Sequence, residues 1–155
     1  MLRSISEVRH TSLATRRCCP VKSRAALHEA VFVKHDTNPP KFFDVTLLTP
    51  REERSIRVAS DQHIWDAAFE QGVELPALCH QGWCLTCAGR IEGQGEVDQA
   101  DSLAFFPQDR EAGFGLLCTG RPCSDLTIRT HQAVELRKHR LKDGLPSPYS
   151  QGLKP

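Results

Sequence analysis

Pro76-Ala-Leu-Cys79-His-Gln-Gly82-Trp-Cys84-Leu-Thr-Cys87-Ala-Gly89 is the stretch whose reading decides the fold. Its three cysteines are spaced C-x4-C-x2-C, a run of thiolates that needs a fourth from elsewhere in the chain to complete a two-iron, two-sulfur cluster. Cys118, in Gly115-Leu-Leu-Cys-Thr-Gly-Arg-Pro122, is the candidate, with 30 residues between it and Cys87. The apolar pair Leu116-Leu117 suggests a strand that delivers this thiolate to the loop. Within the loop, Gly82 can take backbone dihedrals closed to other residues and let amides approach sulfur. Such amide hydrogen bonds favour the more negative, reduced cluster. Leu75, Pro76, Leu78, Trp83 and Leu85 can form an apolar rim. The reading is a protein that carries one electron at a time.

Other uses of these residues are weaker. A zinc site built from Cys84, Cys87, Cys118 and Cys123 has tolerable spacing, but leaves Cys79 unemployed and the x4 interval unexplained. Cys123 is then read as a thiol on or near the surface. His80 follows a ligand directly, and histidine replaces cysteine in Rieske centres. With four cysteines at hand it reads as a neighbouring polar side chain. Cys84-Leu-Thr-Cys87 as a dithiol redox motif lacks a thioredoxin-like βαβ context.

At 155 residues the chain holds one domain with a core, plus tails. The formal net charge of +1 hides an asymmetry. Residues 1–35 carry seven Lys/Arg against two Asp/Glu, a net of +5, whereas residues 42–135 carry seven against fifteen, a net of −8. An acidic domain repels nucleic acid and anionic membrane surfaces and steers toward basic patches on protein partners. Seven cysteines, an odd number, suit metal ligation in a reducing compartment better than a disulfide scaffold. No stretch approaches the roughly 18 consecutive apolar residues of a membrane span. A soluble monomer is expected.

Along the chain, residues 1–40 read as a transit peptide or an N-terminal extension. They are rich in Arg and Ser, and the first 35 hold only Glu7 and Glu29 as acids. Cys18 and Cys19 fall inside that segment. After Asn38-Pro-Pro40, Phe43, Val45 and Leu47 alternate with Asp44, Thr46 and Leu48 as a strand. A turn through Thr49-Pro-Arg-Glu52 leads to a second, Ser55 to Val58, making a hairpin. A helix is expected next, capped by Ser60 or Asp61 and ended by Gly72. Ile64, Trp65, Ala68 and Phe69 would share its apolar face, with Trp65 a core residue rather than an electron relay. Further strands are expected at Ala88 to Glu92, before Cys118 and at Leu126 to Ile128, with a short helical turn between Asp101 and Glu111. This sequence of elements is α+β in class. The domain is assigned to residues 41–135. Residues 136–155 form a basic tail that begins as a helix and then extends, either solvated or serving as a docking arm.

Beyond these readings, the sequence resembles the plant-type ferredoxins of chloroplasts and cyanobacteria from about Phe43 to His131. The match is carried by Ile64-Trp-Asp-Ala-Ala68, Leu75-Pro76, the C-x4-C-x2-C loop, Gly95-Glu-Val-Asp-Gln99, Gly115-Leu-Leu-Cys118 and Ser124-Asp-Leu-Thr-Ile128. The resemblance implies a β-grasp fold (ubiquitin-like roll) and one 2Fe-2S cluster on Cys79, Cys84, Cys87 and Cys118. It also implies low-potential electron transfer in the plastid stroma, or in a cyanobacterial-type cytoplasm. Partners would be redox proteins with basic docking patches: a reductase or photosystem donor and a specialised acceptor. The alternative is a cluster-containing subunit or redox sensor of a larger plastid complex. Photosynthetic members usually have Tyr-Ser before the first ligand and Arg-Ala after it; here stand Ala77-Leu78 and His80-Gln81. The family's reductase-docking aromatic aligns with Ala104, beside Phe105 and Phe106, and its acidic C-terminal residue with Ala133. These departures resemble the minor, C-terminally extended members and point toward specialised partners.

Overall fold

The computed structural model describes residues 39–154. The expected transit peptide, with Cys18 and Cys19, lies outside the described residues apart from its last two positions. Seven strands and three helices follow one another: β1 Phe42–Leu48, β2 Glu53–Ala59, α1 Ile64–Glu70, β3 Ala88–Glu92, β4 Val97–Asp98, α2 Pro107–Glu111, β5 Phe114–Leu116, β6 Arg121–Pro122, β7 Leu126–Arg129 and α3 Ala133–Lys142. Among the described residues no helix is long and apolar enough to cross a membrane.

β1 and β2 form the expected hairpin, with Val45 opposite Ile56 and Leu47 opposite Arg54. Its turn is closed by the Thr49 amide and hydroxyl, both donating to the Glu52 carbonyl. The five-stranded sheet runs β2-β1-β7-β3-β5. Only the β1–β7 pair is parallel. A parallel neighbour cannot be reached by a tight turn, and the long connection it requires contains α1, the cysteine loop and the remaining strands. β4 and β6 make a separate two-stranded ladder. This is the β-grasp arrangement, α+β in class.

Alternation along the strands places Val45, Leu47, Ile56, Val58, Leu126 and Ile128 on one buried face, where Ile64, Ala67 and Ala68 of α1 meet them. The helix differs from expectation at both its cap and its face. Neither Ser60 nor Asp61 caps it; His63 occupies the cap position without a side-chain bond. Its first amides instead reach tertiary carbonyls, Ile64 to Gly120 at 2.9 Å and Trp65 to Leu117 at 3.0 Å. Unsatisfied amides at a helix start donate to any well-placed oxygen, and here the loop beyond β5 supplies it. Phe69 is 66% exposed, and Ala67 takes the buried position expected of it. Gly72 follows the helix with φ +76°, the left-handed conformation expected there.

The tail does begin as a helix, but it packs on the domain. Leu136 and Arg140 of α3 are fully buried.

Candidate metal centre

The cysteine loop connects α1 to β3 and turns through three residues of positive φ: His80 at 51°, Gly82 at 67° and Leu85 at 66°. Left-handed residues redirect successive amides toward one side of the chain, the concave arrangement that binds anions. The amides of Trp83, Gln81 and Cys84 are all directed at the Cys79 sulfur, that of Gln81 at 3.4 Å. The Gly82 amide is directed at Cys118. A side chain at Gly82 is excluded twice over. Its backbone is left-handed, and a Cβ would lie 2.7 Å from Thr119 Oγ1 and 2.9 Å from Ser102 Cα.

The four predicted thiols come together as two pairs. Cys87 and Cys118 have their sulfurs 3.0 Å apart in a buried contact. Cys79 lies close enough to the Cys84 side chain for the two thiols to interact. Cys84, Cys87 and Cys118 are buried, whereas Cys79 is half-buried at the edge. Burial opposes ionisation of Cys79, but the three amides and the Cys84 thiol outweigh it and bring the group down to about 7. In the other pair the hydrogen bond from Cys87 holds Cys118 below the usual thiol range. The same bond, together with burial, pushes Cys87 up.

This is a donor set suited to a binuclear cluster. Thiolates are its ligands, two sulfurs are available to each metal, and the amides offset negative charge on sulfur. Among the described residues no group of three or more His, Cys, Asp or Glu side chains is arranged to hold a single metal ion. Two-plus-two ligation of paired irons does not need one.

Hydrogen bonds fix the loop from two sides. Leu103 and Ala104 donate their amides to the carbonyls of Gln81 and Gly82, at 3.0 and 3.1 Å. Leu117 donates to the Cys87 carbonyl at 3.1 Å, tying the turn after β5, which carries Cys118, to the loop. Gln99, which the sequence presented only as part of a matching motif, is a buried brace. Its amide nitrogen donates to the Leu116 carbonyl, and its oxygen accepts from the Leu116 amide and the Ser102 hydroxyl. Ser102 also shares a 2.7 Å bond with Thr119.

Of the expected apolar rim, Leu75 and Leu85 are buried, but Leu78 is 63% and Trp83 36% exposed. Trp65 packs against the core, its indole donating to the Leu75 carbonyl at 3.0 Å. His80 is exposed and sets its ring edge-on to Trp65 at 4.5 Å, which accords with the neighbouring-residue reading. Cys123 is half-buried beside β6, and its amide donates to the Glu96 carbonyl.

Two residues from the tail complete the surroundings. Arg140 forms a fully buried pair with Asp109 of α2, Nε to Oδ1 at 3.0 Å and Nη2 to Oδ2 at 2.7 Å. It also donates to the carbonyls of Ala104 and Pro146 and lies over the Phe106 ring. Arg137 reaches the cysteine loop itself, donating to the Cys84 carbonyl at 3.0 Å. Sequence reading missed both. The one signal present was the i, i+4 placement of Leu136 and Arg140, which puts them on one helix face.

Fold and donor set together define a β-grasp protein with a site for a binuclear iron–sulfur centre. Comparison with known proteins gives the narrower assignment. Residues 48–123 match the family model described as the 2Fe-2S iron-sulfur cluster binding domain. The chain is 40% identical over 104 residues to Ferredoxin-2 of a Synechococcus, covering 67% of this chain and 96% of that protein. It is 33% identical over 134 residues to the chloroplastic Ferredoxin-6 of Zea mays, covering 86% of this chain and 81% of that one. A crystal structure of pectocin M2 aligns with a TM-score of 0.55 at 35% identity, covering 62% of this chain and 35% of that chain. The chain therefore belongs to the plant-type 2Fe-2S ferredoxin family. It carries a single 2Fe-2S cluster and is an electron carrier, not an enzyme.

Proposed function

We propose that Cys79, Cys84, Cys87 and Cys118 are the cluster ligands, Cys79 and Cys84 on one iron and Cys87 and Cys118 on the other. The observation that carries this is the convergence of the four thiols, with the Cys87 and Cys118 sulfurs 3.0 Å apart and Cys79 interacting with Cys84. When bound, the cluster takes up and returns one electron. The residues around it do the rest. Amides of Gln81, Gly82, Trp83 and Cys84 donate to the sulfurs and offset negative charge. Buried Leu75, Leu85 and Leu117 keep bulk water away. Half-buried Cys79 marks the edge where the centre lies nearest solvent.

The protein passes low-potential electrons between redox partners in the plastid stroma, and those partners present basic docking patches. The net charge of −8 over residues 42–135 supports the patches. The chloroplastic maize relative supports the compartment. Its 134-residue match cannot fit between residues 39 and 155 and so enters the arginine-rich N-terminal segment. Residues 1–40 then act as the transit peptide, 41–135 as the ferredoxin domain and 136–155 as a C-terminal extension of it.

The ligand set is tested in the full chain by Cys→Ser replacement. Cys118→Ser is expected to abolish or severely reduce the visible absorption and the electron paramagnetic signal of the reduced protein, whereas Cys123→Ser leaves both intact. The reverse pattern would show that the fourth sulfur is Cys123.

A further inference from the structure

Arg140 and Arg137 lie on adjacent positions of one face of α3, three residues apart. Arg140 is sealed by Asp109 and anchors the helix. Arg137 is held at a defined place by this anchor, by its Nε bond to the Pro148 carbonyl at 3.1 Å, and by the Ser147 hydroxyl on its own carbonyl. From there its Nη2 donates to the Cys84 carbonyl at 3.0 Å and to Thr86 Oγ1 at 3.4 Å. Cys84 is 1% exposed and Arg137 half-buried, so solvent screens the charge only in part. Among the described residues no carboxylate lies within ion-pair distance of Arg137. A guanidinium cannot lose its proton at working pH. The tail thus delivers one permanent, unneutralised cation to the backbone of a cluster ligand.

We infer that Arg137 sets the reduction potential of the cluster, holding it higher than the loop alone would. Reduction adds one negative charge to the centre, and a fixed cation beside the Cys84 peptide favours that reduced state. The inference rests on the reading of Cys84 as a ligand. It makes Arg137 a positioning residue for electron transfer, acting through the Cys84 carbonyl rather than touching iron.

The sign of the effect separates charge from cover. Removing the cation disfavours the reduced cluster and lowers the potential. Loosening the helix so that water reaches the loop favours the more highly charged reduced state and raises it. A redox titration of the full-length holoprotein, followed by absorbance or by the paramagnetic signal, therefore decides. Arg137→Gln is expected to shift the oxidised-to-reduced equilibrium about tenfold toward the oxidised form, ~59 mV more negative for a one-electron couple. Arg137→Lys is expected to recover part of that shift, because it keeps the charge but not the fork. An Arg137→Gln potential equal to or above the parent's would overturn the inference, whether or not hydrogen exchange shows α3 still protected. Failure of the underlying ligand reading has a different signature: Cys84→Ser would then keep the cluster's spectrum.

Discussion

At the scale of single residues, Gly82 shows how closely backbone and cofactor chemistry are bound together. It is the left-handed residue at the centre of the loop, its amide faces Cys118, and its missing Cβ leaves room for Ser102 and Thr119. The left-handed conformation alone costs about 1–2 kcal/mol for an L side chain, and the 2.7 and 2.9 Å approaches add to it. Gly82→Ala is thus expected to lower the iron content per chain and reduce thermal stability, measured by iron assay and by calorimetry of the same preparation. A variant with full iron content and unchanged stability would contradict this account of the loop. The sequence made the glycine's position legible through its place between Cys79 and Cys84. The Ser102–Thr119 pair that crowds it was not legible, because those residues are brought in from separate segments. Gln99 was hidden for the same reason: two of its three braces are to Leu116, 17 residues along the chain.

At the scale of elements, strong periodicity was readable and short or tertiary-dependent structure was not. β1, β2, α1, β3 and β7 follow from alternation, from helical spacing and from turn residues. β4 and β6 are two residues each, too short for any period to show. The start of α1 was misplaced because its caps are carbonyls of Leu117 and Gly120 rather than a neighbouring side chain. α3 is the largest surprise. A stretch reading Leu-Arg-Lys-His-Arg-Leu-Lys looks solvated, yet its Arg140 is buried in a satisfied pair with Asp109, which also accepts from the Phe106 amide at 3.0 Å. Breaking one partner of a buried pair costs about 3–5 kcal/mol, whereas replacing both by apolar residues recovers much of it. Arg140→Leu should therefore destabilise the protein by roughly that amount and expose α3 to hydrogen exchange. Asp109→Leu combined with Arg140→Leu should be less damaging than the two losses added together. Strict additivity in that cycle would show the pair to be uncoupled.

At the scale of the whole molecule, charge is divided along the chain. The domain is acidic, and the extension that follows it is basic and lies against the cysteine loop. Long-range attraction to a basic partner is screened by salt, so electron transfer to such a partner should slow roughly tenfold or more between low and high ionic strength. Stopped-flow rates that ignore salt would contradict basic docking patches. The family departures at Ala104 and Ala133 also gain a physical meaning. The Ala104 carbonyl is taken by Arg140, and Ala133 is the first residue of α3. Both positions serve the extension here. The central claim remains that four cysteines in two pairs hold one cluster, and the most direct measurement is the metal itself. Elemental and acid-labile sulfide analysis of the full chain, with the paramagnetic spectrum of its reduced form, should give two irons and two sulfides per chain and a single one-electron signal, all lost in Cys118→Ser. Zinc in place of iron, or an iron signal that survives Cys118→Ser, would contradict the account.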